Sequence, residues 1–206
     1  MGTYFREVFT EKLDADFHIG LSPEHDNRVA ELIPPEPAPE LSEWMSKDEI
    51  EEMGRNNKIS VAATKTREFR QAEVPASNGH GNARSMAQLG SIVACGGTLN
   101  GIQFLTRKTI DDSIKEQIYL PDSVLMRKQR YGLGWGLPSP ENPLTPNWKE
   151  RNACYWGGWG GSRLLMDLDQ KLCFTYAMNN MIMTLTGDSR SYKINRAVYE
   201  CLGEEI

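Results

Sequence analysis

Two tryptophans and four glycines lie within eight residues near the C-terminal end of the chain, and they restrict the fold more than any other feature. The segment reads Tyr-Trp-Gly-Gly-Trp-Gly-Gly-Ser and covers residues 155–162. Two short apolar and aromatic segments follow it, at residues 163–167 and 172–178, and the four residues Leu168-Asp-Gln-Lys171 separate them. Such a pattern is typical of two strands joined as a hairpin. The sequence therefore predicts an antiparallel sheet in the last third of the chain.

Helical patterns dominate the chain before this sheet. Asn82 is a suitable N-cap for a helix at residues 83–94, and Gly96 and Gly97 would end it. The other predicted elements are a helix at 4–12, a helix at 46–54 behind a capping box, a loop at 55–75, a tight turn at 99–102, a helix at 107–117, a glycine-interrupted strand at 131–137 and a terminal helix at 191–202.

These elements predict an α+β fold, in which a helical region precedes an antiparallel meander and a C-terminal helix packs on one face of the sheet. We expect residues 1–206 to form one domain portion. Residues 1–125 would be mainly helix and loop, and residues 126–206 would be the sheet and the terminal helix.

The charge balance excludes several partners. The chain has a net charge of −5, a pI near 5.3 and no block of lysines or arginines, so nucleic acid and anionic membranes are not expected partners. No apolar run reaches the roughly 18 residues that span a bilayer. The first residues do not form a signal peptide, which makes a cytoplasmic location the default expectation. Because the chain enters directly into a helix, we expect that its domain begins upstream.

Cysteine and histidine spacing gives no support for a metal centre. The four cysteines at 95, 154, 173 and 201 form no Cys-x-x-Cys pair, and the histidines at 18, 25 and 80 lie far from them in sequence. We therefore expect reduced, buried thiols, no metal and no cofactor. His80 is interpreted as a surface or turn residue.

Three segments, in order, resemble the serine β-lactamase-like and penicillin-binding-protein-like family, especially its class C, esterase and D-aminopeptidase-like branches. They are residues 4–20, residues 77–97, and Tyr131-Gly-Leu-Gly-Trp135 together with residues 155–162 and Asp167. The resemblance implies a partial β-lactamase/transpeptidase-like fold that corresponds to the C-terminal portion of the family domain.

The family's chemistry is acyl transfer through a serine, and it implies a Ser-x-x-Lys pair, a Tyr-x-Asn motif and a third motif on an inner strand. No serine of the chain has a lysine three residues later, and no tyrosine begins Tyr-x-Asn. A serine without a paired base is a poor nucleophile. The sequence therefore predicts a chain that is inactive on its own, either as a fragment of an acyl-transfer enzyme or as a non-catalytic scaffold or ligand-binding module.

The third motif corresponds to Trp156, Gly157 and Gly158, with Trp159 as the backbone donor of half an oxyanion hole. The glycines would let a substrate lie close to the strand. Tryptophan replaces the usual lysine or histidine of the motif, and a cation there would pair with a substrate carboxylate. The change favours a small ester or a neutral peptide-like ligand. Packing of the two tryptophans at a glycine-rich strand is the alternative.

Further expectations concern the rest of the sheet. Asp167 should order the hairpin rather than take part in chemistry, and Arg163 should be structural or solvated. The last strand, at 172–178, should have an unpaired edge, and the sheet should expose apolar surface. The oligomeric state is left open.

Overall fold

A computed structural model of the chain describes residues 1–35, 61–123, 125, 127–142, 151–184 and 187–204. The helix expected at 46–54 lies outside these residues. The strands that concern function are β5 (Ile118–Asp122), β6 (Arg127–Tyr131), β7 (Ala153–Gly157), β8 (Arg163–Asp167) and β9 (Leu172–Tyr176). All neighbouring pairs are antiparallel, with β5 against β6 and the order β7-β8-β9. The predicted hairpin and α+β class are confirmed.

Gly136 connects the β5–β6 pair to the three strands β7-β8-β9, because it forms isolated β-bridges with both Tyr131 and Tyr155. Its N–H donates to the Tyr155 carbonyl and its carbonyl accepts from the Tyr155 N–H, both at 2.9 Å. A Cβ at Gly136 would lie 2.6 Å from the Tyr155 ring, so the close approach requires glycine. The continuous strand predicted at 131–137 is therefore wrong: β6 ends at Tyr131, and a turn precedes the single bridging residue. The sheet also begins at Ile118, earlier than residue 126.

One helix packs on each face of the three-stranded part. Cross-strand register places Tyr155, Leu165 and Phe174 in one row, and Tyr199 of the C-terminal helix packs against that row. On the other face Met166 and Leu164 meet the helix at Ala83–Ala94. Burial of apolar side chains against both helices holds the sheet in place.

The helices largely follow the sequence prediction. They are α1 (Gly2–Phe5), a π-helical turn at Arg6–Thr10, α2 (Glu11–Leu13), a 3₁₀-helix at Pro23–Arg28, α3 (Val61–Thr64), α4 (Arg67–Gln71), α5 (Ala83–Ala94), α6 (Arg107–Ser113) and α7 (Ser189–Cys201). Asn82 caps α5 by accepting a hydrogen bond from the Ser85 N–H at 2.9 Å. Helices α3 and α4 contradict the loop predicted there, since Thr66 caps α4 through the Phe69 N–H. Helix α6 ends earlier than predicted.

Two small antiparallel pairs complete the described chain. Strand β1 (Phe17–Ile19) pairs with β2 (Gly79–Gly81), and β3 (Thr98–Leu99) pairs with β4 (Ile102–Gln103) across the predicted tight turn. Within the ranges given above, no helix has the length and apolar character needed to cross a bilayer.

The predicted edge at the last strand is confirmed, because in the described part of the chain β9 pairs with β8 alone. The exposed apolar surface is not centred there. Helices α5 and α7 cover the two faces around β9, and the exposed large apolar side chains of the sheet are Trp156 on β7 and Ile118 and Leu120 on β5.

Candidate functional site

Trp156 stands at the end of β7, where helix α5 no longer covers the sheet. It pairs in register with Leu164, which pairs with Thr175, so the three residues share one face. Helix α5 packs on that face, because the Thr175 hydroxyl donates to the Ala83 carbonyl at 2.7 Å. Trp156 is nevertheless 49% exposed. Its ring centroid lies 6.2 Å from that of Tyr131, which gives an aromatic surface open to solvent.

The turn after β7 leaves the backbone N–H of Trp159 available. The Gly158 N–H donates to the Ser162 carbonyl at 3.0 Å, that of Gly160 to the Thr184 carbonyl at 2.9 Å, and that of Gly161 to the Gly158 carbonyl at 3.2 Å. The Trp159 N–H has no acceptor among the described residues. Trp159 is also only partly buried. Its amide is therefore a donor that an external carbonyl oxygen could use.

The glycines of the turn differ in what the fold requires of them. Gly160 and Gly161 have φ values of 102° and 114°, in the region that favours glycine. A Cβ at Gly161 would lie 2.0 Å from the Asp188 carboxylate. At Gly158, by contrast, a Cβ would meet no atom within 4 Å. The folded chain leaves open space above Gly158, where a ligand could approach the backbone.

Arg163 and Asp167 support this strand from the buried face. Arg163 is 1% exposed, and its guanidinium carbon lies 4.3 Å from the centroid of the Tyr155 ring. Desolvation by burial lowers the pKa of Arg163 to about 10. The Asp167 carboxylate accepts the Asp169 N–H at 3.0 Å and the Gln170 N–H at 3.1 Å, which confirms its predicted role in ordering the hairpin.

The cysteines provide no reactive group at this strand. Cys154 and Cys173 are free thiols, and desolvation by burial raises the pKa of each to about 12, so the nucleophilic thiolate is scarce. Cys201 is exposed and Cys95 is half-buried, so burial of all four is wrong. Among the residues that the structure places, no group of three or more His, Cys, Asp and Glu side chains could hold a metal ion.

A second polar region lies at β1 and β2, and sequence reasoning missed it. His18 and His80 pair in register, and the ring centroids of His18 and His25 are 4.8 Å apart. They line a cavity of about 730 Å³. His80 is thus part of a strand and of a cavity wall, and its interpretation as a surface or turn residue is wrong. Pairing of β1 with β2 creates this cluster, and no local spacing signals it.

Comparison with known proteins agrees with the fold and with the family resemblance. A family model described as beta-lactamase matches residues 1–198. The esterase/beta-lactamase LipL of Mycobacterium tuberculosis (strain ATCC 25618 / H37Rv) is 31% identical over 150 residues, which are 67% of this chain and 35% of LipL.

Two solved structures show the same relationship. A family VIII carboxylesterase has 31% identity and a TM-score of 0.80, with 97% of this chain and 51% of that one covered. A penicillin-binding protein homologue from Caulobacter crescentus has 30% identity and a TM-score of 0.78, with 97% and 52% covered. The chain spans about half the length of these two structures and about a third of LipL. On the match of the family model to residues 1–198, the chain belongs to the β-lactamase family.

Proposed function

We propose that residues 156–159 form one wall of a site that binds an ester or a neutral amide for acyl transfer, and that the 206-residue chain alone performs no catalysis. The observation that carries the proposal is the Trp159 N–H, which has no acceptor among the described residues and lies beside the open backbone at Gly158. A substrate carbonyl against Gly158 would accept a hydrogen bond from this amide.

The backbone amide would stabilise the negative charge that develops on the carbonyl oxygen during attack. Loss of one donor from an oxyanion hole costs about 3–4 kcal/mol of transition-state stabilisation in well-studied enzymes. One donor alone leaves the oxyanion partly unsatisfied. The wall at β7 therefore needs a second donor and a nucleophile to become an active site.

Trp156 favours an uncharged substrate. Its indole presents an apolar face and one N–H, where a lysine or histidine would present a cation to a substrate carboxylate. Its position beside the Tyr131 ring adds a second aromatic surface for the acyl or alcohol part of an ester. LipL is named an esterase/beta-lactamase and the family VIII protein a carboxylesterase, which supports an ester as the substrate class.

The chain holds no serine that could be activated as the family requires. None of its serines has a lysine three residues later, and no tyrosine begins Tyr-x-Asn. We therefore expect no acyl-enzyme from this chain. Incubation with a fluorophosphonate probe and with a fluorescent penicillin should leave the intact mass unchanged, while an active serine esterase in parallel is labelled. Stoichiometric labelling at any serine would overturn the proposed inactivity.

The binding wall is tested separately. Phenyl acetate should shift the NMR resonance of the Trp159 amide in a saturable way, and Gly158→Val should abolish the shift because its side chain fills the open space. Thr98→Val, at an exposed position of β3, introduces the same side chain away from this wall and serves as the control that keeps the shift. An unchanged Trp159 resonance at saturating ester would sink the proposed wall.

A further inference from the structure

The cavity at β1 and β2 has a positively charged wall. The Asp16 carboxylate is occupied, since it accepts two hydrogen bonds from Arg28, at 2.7 and 3.0 Å, and one from His18 at 2.9 Å. Lys65 and Glu31 pair at 2.5 Å. In these contacts the charge of Arg28 is neutralised by Asp16, and the charge of Lys65 by Glu31.

Arg70 carries the remaining charge. Arg67 and Arg70 both bond to a single oxygen of Asp26, so two guanidinium groups share one carboxylate. The buried Nε of Arg70 has no hydrogen-bond partner among the described residues. Since Arg70 lines the cavity, its surplus charge is suited to an anion.

His80 adds a group whose charge can respond to that anion. Its Nδ1 lies 2.7 Å from the Asn78 carbonyl oxygen, so Nδ1 carries the proton and donates it. Its Nε2 has no partner among the described residues. Desolvation, followed by the charges of Arg70, Arg67 and His18, lowers the pKa of His80. On protonation, Nε2 would become a second donor beside Arg70.

Apolar side chains complete the wall. Val29, Phe69 and Met178 line the same space as the charged groups. A volume of about 730 Å³ is within the usual range for sites that hold small organic molecules. One surplus charge, one protonatable imidazole and an apolar lining suit an organic monoanion better than inorganic phosphate.

We propose that this cavity binds a small organic carboxylate, with the carboxylate bonded to Arg70 and to Nε2 of a protonated His80 and the apolar body against Phe69. Binding takes one proton from solvent onto Nε2, and no covalent bond forms or breaks. The site shares no residue with the wall at β7, and the proposal is independent of the proposed function.

The dependence of binding on pH follows from the groups around His80. Those groups come from several elements. They are Asp16 just before β1, His18 in β1, His25, Asp26 and Arg28 in the 3₁₀-helix, Glu31, Lys65, and Arg67 and Arg70 in α4. Carboxylates stay ionised and arginine and lysine stay charged between pH 6 and pH 8, so proton uptake by His80 is the change of charge that binding brings about. A carboxylate beside His80 raises its pKa, and binding should therefore strengthen as the pH falls.

Benzoate is the probe, with benzamide as the neutral control of the same shape and phosphate as the inorganic anion. Calorimetry at pH 6 and pH 8 should show benzoate binding that is up to about tenfold tighter per pH unit for one linked proton, and weak or no binding of the other two. Imidazole NMR should resolve the three histidines and show the pKa of His80 rising with benzoate.

Three variants separate the contributions. Arg70→Gln should weaken benzoate binding at least tenfold, and His80→Asn should retain weaker binding that no longer depends on pH. Lys108→Gln on exposed α6 should leave both properties unchanged. Thermal unfolding checks that each variant is folded. Absence of benzoate binding at pH 6, equal binding of benzamide, tighter binding of phosphate, or unchanged pH dependence in folded His80→Asn would each overturn the proposal.

Discussion

Gly158 and Gly161 lie three residues apart in one turn, yet the fold requires only the second. Gly161 has a φ of 114°, and its missing Cβ leaves room for the Asp188 carboxylate. Gly158 has open space where its Cβ would be. A glycine that the fold does not require, beside a backbone amide with no acceptor among the described residues, is what a ligand-contacting strand would contain.

This difference predicts opposite results for two alanine substitutions. Gly161→Ala should lower the free energy of unfolding by about 1–3 kcal/mol or more, because it strains the backbone and displaces Asp188. Gly158→Ala should change it by no more than about 0.5 kcal/mol. Urea denaturation of the two variants beside the parent chain measures both. Equal destabilisation by the two substitutions would contradict the open space that the structure shows above Gly158.

Sequence could identify one functional region and not the other, for a physical reason. Residues 156–159 are contiguous, so the glycine pattern and the family motif appear in a single short stretch. His18, His25 and His80 come from three segments, and their proximity depends on the pairing of β1 with β2. Each histidine alone carries no signal, since neither strand is longer than three residues.

At the scale of elements, the start of α7 stabilises both the helix and the turn that carries Trp159. Asp188 accepts from the N–H groups of Arg190 and Ser191 at 2.8 and 3.2 Å, and the Ser191 hydroxyl accepts from the Asp188 N–H at 3.1 Å. The same carboxylate lies directly beside Gly161. A capping box thus places the C-terminal helix against the glycine turn.

Removal of this cap should be costly. Asp188→Ala should lower the free energy of unfolding by about 0.5–2 kcal/mol through the lost cap, and it should shift the amide resonances of residues 158–161. Asp188→Asn keeps a capping oxygen and should therefore lower the free energy of unfolding by less. Chemical denaturation and backbone NMR report the two effects. Unchanged turn resonances in Asp188→Ala would refute the link between cap and turn.

Elements with a strong local signal were predictable, and those defined by partners were not. Helices α5 and α7 have side-chain caps, and β8 and β9 are short apolar and aromatic segments joined by a turn. Strand β5 contains Pro121 and exposes Ile118 and Leu120, so it reads as a loop, and only its pairing with β6 makes it a strand. Helices α3 and α4 are four and five residues long, too short for helical periodicity to appear.

At the scale of the whole molecule, the closeness of α5 to the sheet depends on Gly90. A Cβ at this position would lie 2.5 Å from the sulfur of Cys173 and 2.7 Å from a methyl group of Leu164. Gly90→Val should therefore overpack the interface and lower the free energy of unfolding by about 1–3 kcal/mol or more. Arg84→Ala, at an exposed position of the same helix, is the control. Thermal and urea unfolding that matched the parent would contradict such close packing.

Three carboxyls, two near the start of the chain and one near its end, make the stability of the fold depend on acid pH. Hydrogen bonds from Arg28 and His18 hold the pKa of Asp16 well below its usual range, and a hydrogen bond from Arg67 lowers that of Asp26. At Asp188, desolvation raises the pKa, but the hydrogen bonds from Arg190 and the α7 amides outweigh it and lower the pKa. All three carboxyls have a lower pKa in the folded chain than in the unfolded chain.

A lowered pKa fixes the direction of the pH dependence. The unfolded chain takes up protons first as the pH falls below about 4, so folding loses the stabilisation from these carboxylates between that pH and their lower folded pKa values. The melting temperature should fall slightly from pH 7 to pH 5, because the lowered pKa of His80 makes the unfolded chain take up that proton first, and it should fall steeply below pH 4. Asp16→Asn should start from a lower melting temperature and show a shallower fall, because its amide cannot be protonated in this range. A melting temperature that rose on acidification, or an equally steep fall in Asp16→Asn, would show that these ion pairs do not govern acid unfolding.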